Sequence, residues 1–106
     1  MYSVLVSKPA QRDAQEHYDW WAEHRSAEQA VRWYAAFYKA LLKLEKNPER
    51  FPLAAENGTA LFQLRQLNFG LGARPTHRAV FVIRDSDIVV LRVRHLAQDA
   101  LTDDDL

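Results

Sequence analysis

The stretch HRAVFVIRDSDIVVLRVRH, from His77 to His95, limits the possible folds more than any other part of the chain. Two runs rich in β-branched residues, Thr76 to Arg84 and Asp87 to His95, flank a tight turn at Asp85-Ser86-Asp87. That pattern specifies an antiparallel hairpin. Period-two alternation puts His77, Ala79, Phe81 and Ile83 on one side of the first strand, and Arg78, Val80, Val82 and Arg84 on the other. On the second strand it sets Ile88, Val90, Arg92 and Arg94 against Val89, Leu91, Val93 and His95. Each run carries an arginine or a histidine at its margins, so one face or rim of the sheet is expected to be a charged surface.

The rest of the chain supplies what a hairpin needs to become a domain. Tyr2 to Val6 reads as a short strand, ended by Ser7, Lys8 and Pro9, and the proline is suited to the first turn of a helix. From Pro9 to about His24 the residues Ala10, Ala14, Tyr18, Trp21 and Ala22 recur at helical spacing. Ser26 and Gln29 form a capping-box signature for a second helix, Ala27 to Lys46, with an apolar stripe running from Ala27, Ala30 and Val31 through Tyr34, Phe37 and Tyr38 to Leu41, Leu42 and Leu44; Asn47-Pro48 stops it. Glu49 to Thr59 reads as a connecting loop, Ala60 to Phe69 as a further strand, Gly70 to Pro75 as a connector, and about 97–106 as an acidic tail ending Asp103-Asp104-Asp105-Leu106. The expected architecture is α+β, in the order β-α-α-β-β-β. A helical hairpin packs on one face of a small, mainly antiparallel sheet, the other face stays available, and 1–106 forms one domain.

Composition narrows the function. Fourteen Lys plus Arg balance fourteen Asp plus Glu, so any affinity for polyanions must be local rather than global. No cysteine is present, which removes thiolate catalysis and disulfides and fits a reducing cytoplasm. No leader-like or membrane-spanning run is evident, and a cytoplasmic protein is expected. His17 and His24 are too far apart for an adjacent-turn metal pair, and no metal or other cofactor is expected. Nucleotide-binding loops and hydrolase motifs are missing from the sequence as well.

The candidate site is the arginine set. If strand register brings Arg78 near Arg94, with Arg65 on the neighbouring strand, three guanidinium groups converge at one end of the sheet beside His95. Together with Arg92 they form a candidate partner-binding surface. Solvated strand ends that protect a sheet edge are the plainer explanation. His95 can titrate near neutral pH, with Asp99 placed to orient it. The acidic tail is a candidate cover for this basic rim.

Four local sequences, in this order, resemble the RelE/ParE toxin superfamily of bacterial type II toxin–antitoxin systems: KPAQRDAQEHYDWW after the opening strand, ALLKLEKNPERFP, FQLRQLNF with Arg65, and HRAVFVI followed by VVLRVRHLAQD. The resemblance covers almost the whole chain. It implies a growth-inhibiting toxin of the plasmid-stabilisation kind, wrapped and silenced by a cognate antitoxin, with a homodimer possible. In the ribonuclease branch it implies catalysis by basic residues of the second and third strands and of the C-terminal part; here those are Arg65, Arg78 and His95. The sequence departs from that branch where the tail LAQDALTDDDL lacks arginine, lysine and tyrosine and where Gln63 replaces a second basic residue. That departure points to the ParE-like branch, which the resemblance associates with inhibition of DNA gyrase by protein contact. A ribosome-dependent endoribonuclease and a non-toxic interaction domain on the same fold are the alternatives.

Overall fold

The computed structural model describes residues 1–59, 63–98, 100–102 and 105–106. Strand β1 (Ser3–Val6) leads into helices α1 (Lys8–His24) and α2 (Ala27–Lys43); strands β2 (Arg65–Phe69), β3 (His77–Arg84) and β4 (Asp87–His95) follow, in the expected α+β order. The sheet order is β1-β4-β3-β2, with β1 parallel to β4 and the other pairs antiparallel, so the sheet is mixed. Among the described residues no helix is long and apolar enough to cross a membrane.

Both helices start where their sequences require. Ser7 Oγ accepts the Ala10 N–H at 3.2 Å, with Pro9 in the first turn, and Ser26 Oγ accepts the Gln29 N–H at 3.1 Å. The second helix ends at Lys43 rather than Lys46. Its last turn tightens through Leu44 N–H to Leu41 O and Glu45 N–H to Leu42 O, and Asn47 then turns the chain with a positive φ of 47°. The tightening drops Leu44 into the core, where it is fully buried.

The helices cover one sheet face. Ala10 and Ala14 of α1 and Trp33, Phe37, Ala40 and Leu44 near or on α2 pack over Leu67, Phe69, Ala79, Phe81, Ile88, Val90 and Val93. Contrary to the sequence reading, the other face is not left open. Val80 and Val82 are buried there beneath Ala54, Leu64 and Leu101, with Val89 and Leu91 alongside. The loop before β2 and the tail both fold across it. Of the expected strand Ala60 to Phe69, Arg65–Phe69 forms β2, Leu64 and Arg65 pair outward with Ala54 and Leu53, and positions 60–62 lie outside the described residues.

Strict alternation along β4 also fails. Val80 pairs with Arg92 and Phe81 with Val90, which leaves Leu91 as an extra residue, a β-bulge. Ile88 and Val90 therefore share the helix side with Val93, while Val89 and Leu91 point to the second face. The bulge moves Arg92 and Arg94 away from the company of Ile88 and Val90, and it decides which charges can meet.

Candidate functional site

Arg78 and Arg94 are direct cross-strand partners on the second face, so part of the expected convergence is present. Arg78 is nonetheless occupied. Its guanidinium donates in a fork to both carboxylate oxygens of Glu56, one bond measuring 2.8 Å, and to Gln66 Oε1 at 3.2 Å. Glu56 Oε2 also accepts the Leu101 N–H at 2.8 Å. One carboxylate thereby ties β3 to the loop and to the tail. Glu56 is 2% exposed, and the Arg78 hydrogen bonds hold its carboxyl down at about 2 in spite of burial.

Arg92 is tied as firmly. Strand β1 pairs with β4 only as far as Val90, so the outer edge of β4 beyond it needs other partners. Ser7 supplies two, its N–H to Val90 O at 3.0 Å and its hydroxyl to Leu91 O at 2.9 Å. Asp13 supplies the next: its carboxylate accepts the Val93 N–H at 2.9 Å and, in a fork, Arg92 Nε at 2.7 Å and an Arg92 terminal nitrogen at 2.9 Å. The other terminal nitrogen of Arg92 donates to the Asp105 carbonyl at 3.0 Å. The Asp105 carboxyl lies below its ordinary range, chiefly through the Thr102 amide, with Arg92 and Arg94 adding to the effect. The tail thus reaches the basic rim through Asp105; Asp103 and Asp104 lie outside the described residues.

Arg65 and His95 do not join this group. Arg65 pairs with Phe81 on the helix side, and its guanidinium donates to Glu49 O at 3.0 Å, Phe51 O at 2.7 Å and Gln63 Oε1 at 3.1 Å, stapling the loop ahead of β2. His95 also takes the helix side, the face of Val93. Its ring lies 5.0 Å from that of His77, which is 4.7 Å from that of His17. Its Nδ1 accepts the Ala97 N–H at 3.0 Å, and Asp99, expected to orient it, lies outside the described residues. The four side chains expected to converge are therefore split between two faces of the sheet.

Two features escaped the sequence reading. One is the histidine row at the end of the helix-side core. Trp33 Nε1–H donates to His77 Nδ1 at 3.2 Å, and Thr76 Oγ1 lies 2.8 Å from the same nitrogen. Burial first, then the neighbouring His17 and His95, pushes the His77 pKa down to about 3. No group of three or more histidine, aspartate or glutamate side chains suited to a metal ion occurs among the described residues.

The other is on α2. The single broad apolar stripe is in fact two: Ala30, Trp33, Phe37 and Ala40 face the core, while Val31, Tyr34, Tyr38 and Leu42 are 57%, 45%, 59% and 51% exposed. Tyr34 and Tyr38 line a groove of about 640 Å³ between the helices, floored by Ala14, Phe37 and Leu41 and edged by Lys8 and Arg12. They also line a second apolar hollow of about 530 Å³ with Tyr18, Val31 and Ala35. The sequence signal was the width of the stripe, too broad for one buried helix face.

The family model for the ParE toxin of type II toxin–antitoxin systems, parDE, matches residues 4–100. Among solved structures, the chain is similar to one described as the chromosomal ParDE TA system from P. aeruginosa, at 19% identity and a TM-score of 0.74, over 90% of this chain and 96% of that one. It is also similar to the archaeal RelE-RelB complex from Pyrococcus horikoshii OT3, at 18% identity and a TM-score of 0.50, over 92% and 98% of the two chains. At these identities the likeness to both structures is one of fold. No curated protein matches the sequence.

Proposed function

The chain belongs to the ParE toxin family of type II toxin–antitoxin systems, and from that premise we propose that it arrests bacterial growth by protein contact with DNA gyrase and is silenced by a cognate antitoxin. The observation that carries the reading is the split of the candidate catalytic set. A ribonuclease needs a base, an acid and free cations around one phosphate. Arg78 is locked to Glu56 on one face, whereas Arg65, bound to loop carbonyls, and His95 are on the other. The zero formal charge is also a poor match for docking on ribosomal RNA. By contrast, the apolar hairpin face is of the kind that protein partners cover, and the antitoxin is proposed to lay an amphipathic segment along Tyr34 and Tyr38.

Conditional expression in bacteria, with and without the neighbouring gene, tests this when growth, message integrity and DNA topology are scored together. The expected result is arrest with intact messages, loss of supercoiling by purified gyrase, and rescue by the neighbouring product. Translation-coupled cleavage of messages would instead establish the ribonuclease reading, and unimpaired growth would establish a non-toxic interaction domain.

A further inference from the structure

With the sheet arginines Arg65, Arg78 and Arg92 committed internally, the cations open to a partner are found elsewhere. Arg32, Lys39 and Lys43 form a row along α2, exposed and without a side-chain ion pair among the described residues. The row overlooks a trench between α2 and the outer edge of β2. One part, about 300 Å³, is lined by Ala36, Lys39, Ala40 and Lys43 opposite Leu67, Asn68 and Gly70. The adjoining part, about 330 Å³, is lined by Arg32, Ala35, Ala36 and Lys39 opposite Gly70 and Leu71. The two share Ala36, Lys39 and Gly70 and are continuous.

The far wall is a strand edge. β2 is the last strand of the sheet, and among the described residues its outward backbone groups are used at the start, where Leu64 O accepts the Ala54 N–H and Gln66 N–H donates to Pro52 O. In an antiparallel pair such outward groups belong to alternate residues, so the next ones are the N–H and C=O of Asn68. Neither has a backbone partner among the described residues, and Asn68 is exposed. An unpaired strand edge is a template for another strand.

We propose that this trench seats an extended acidic segment of the antitoxin as a fifth strand beside β2, its carboxylates meeting Arg32, Lys39 and Lys43. The inference rests on the antitoxin reading and adds the binding mode and the charge of the bound segment. Backbone pairing at Asn68 fixes register, and the α2 cations select acidic side chains on the strand that arrives. Among the described residues no acidic side chain lines either part of the trench, so an incoming carboxylate meets Arg32, Lys39 and Lys43 without a like charge opposing it.

The test uses the full chain co-purified with the product of the neighbouring reading frame, with hydrogen exchange followed residue by residue. The Asn68 amide is expected to exchange at least about tenfold more slowly in the complex, as a newly bonded strand amide does. Lys39→Glu/Lys43→Glu is expected to weaken binding about tenfold at low salt, with the effect shrinking as salt rises, while Lys46→Glu outside the trench changes it less than about twofold. Asn68→Pro removes the outward N–H without touching the β2–β3 ladder and is expected to weaken binding several-fold. A stable complex in which Asn68 gains no protection and the double lysine variant binds normally overturns this inference and leaves the antitoxin reading standing. Failure to form any complex overturns both.

Discussion

Glu56→Gln is the perturbation that best separates a structural Arg78 from a catalytic one. Among the described residues Glu56 accepts two hydrogen bonds from Arg78 and one from the Leu101 N–H, and a glutamine offers only one acceptor oxygen. At least one donor then faces the amide NH2, and Arg78, a residue only 7% exposed, loses its counter-charge. The drop of the carboxyl from 4.5 to about 2 corresponds, at about 1.36 kcal/mol per pH unit, to roughly 3 kcal/mol of stability. Breaking one side of a buried pair gives a similar range, about 3–5 kcal/mol. Because the folded-state value is depressed, this stability is present above pH 4.5 and is lost as pH falls toward 2. Urea unfolding followed by tryptophan fluorescence, reporting on buried Trp33, should place the variant about 3 kcal/mol below the parent at pH 7. The gap should close as pH approaches 2, since the parent is then protonated too. A variant within about 0.5 kcal/mol of the parent at pH 7, the range of ordinary surface changes, refutes the reasoning. So does a gap that stays constant down to pH 3. The companion variant Glu56→Leu/Arg78→Met replaces the pair with apolar side chains and should recover most of the stability. If it folds and still arrests growth, Arg78 is not needed for chemistry; loss of toxicity in the stable double variant returns Arg78 to a ribonuclease role.

Asp13→Ala removes both the Arg92 fork and the acceptor for the Val93 N–H, and is expected to cost about 2–4 kcal/mol in denaturant unfolding; a cost below about 0.5 kcal/mol would mean that water replaces the carboxylate. His77, lowered from 6.5 to about 3, should show no ring-proton chemical-shift change from pH 8 to pH 5 by NMR, and the stability it contributes is present above pH 6.5 and lost as pH falls toward 3; a midpoint near 6.5 would mean the ring is hydrated. Gly70→Ala places a Cβ 2.9 Å from Thr76 Oγ1 and 3.0 Å from the Thr76 amide nitrogen, so the loop must shift and a loss of about 1–3 kcal/mol is expected, checked by thermal unfolding. Tyr34→Glu/Tyr38→Glu changes two exposed positions and should leave the melting temperature within a few degrees while abolishing co-purification with the antitoxin; retained binding would move the antitoxin off the hairpin face.

The elements that sequence revealed are those written in local periodicity. The β3–β4 hairpin declares itself by β-branched alternation around Asp85, which adopts a positive φ of 55°, and both helix starts by their serine caps. What sequence concealed is non-local. The parallel pairing of β1 with β4 joins residues more than eighty positions apart, and the bulge at Leu91 shows only in the register against β3. That bulge is why alternation put Arg92 and Arg94 with Ile88 and Val90. Partners of the arginines were hidden for the same reason, since Glu56 lies in a loop 22 positions from Arg78 and Asp13 on a helix 79 positions from Arg92. One clue was available: Asp13 falls beside Ala10 and Ala14 on the buried side of α1, where a carboxylate needs a partner.

The energetics of the two surfaces point to different kinds of chemistry. For Arg78 to bind a scissile phosphate it must leave Glu56, at a cost of about 3–5 kcal/mol, and a bound phosphate brings its own charge close to the Glu56 carboxylate. The Glu56 carboxylate, which also anchors the tail through the Leu101 N–H, is then left buried without the Arg78 charge. Engagement of the hairpin face carries no such cost. Val31, Tyr34, Tyr38 and Leu42 are already half exposed, and covering each contributes on the order of 1 kcal/mol without breaking an internal bond. Four such side chains with cationic edges at Lys8, Arg12 and Lys39 give a protein partner both affinity and orientation. The second sheet face of this chain is therefore stabilised as a closed structural layer, and the binding energy open to a partner is concentrated on α1, α2 and the edge of β2.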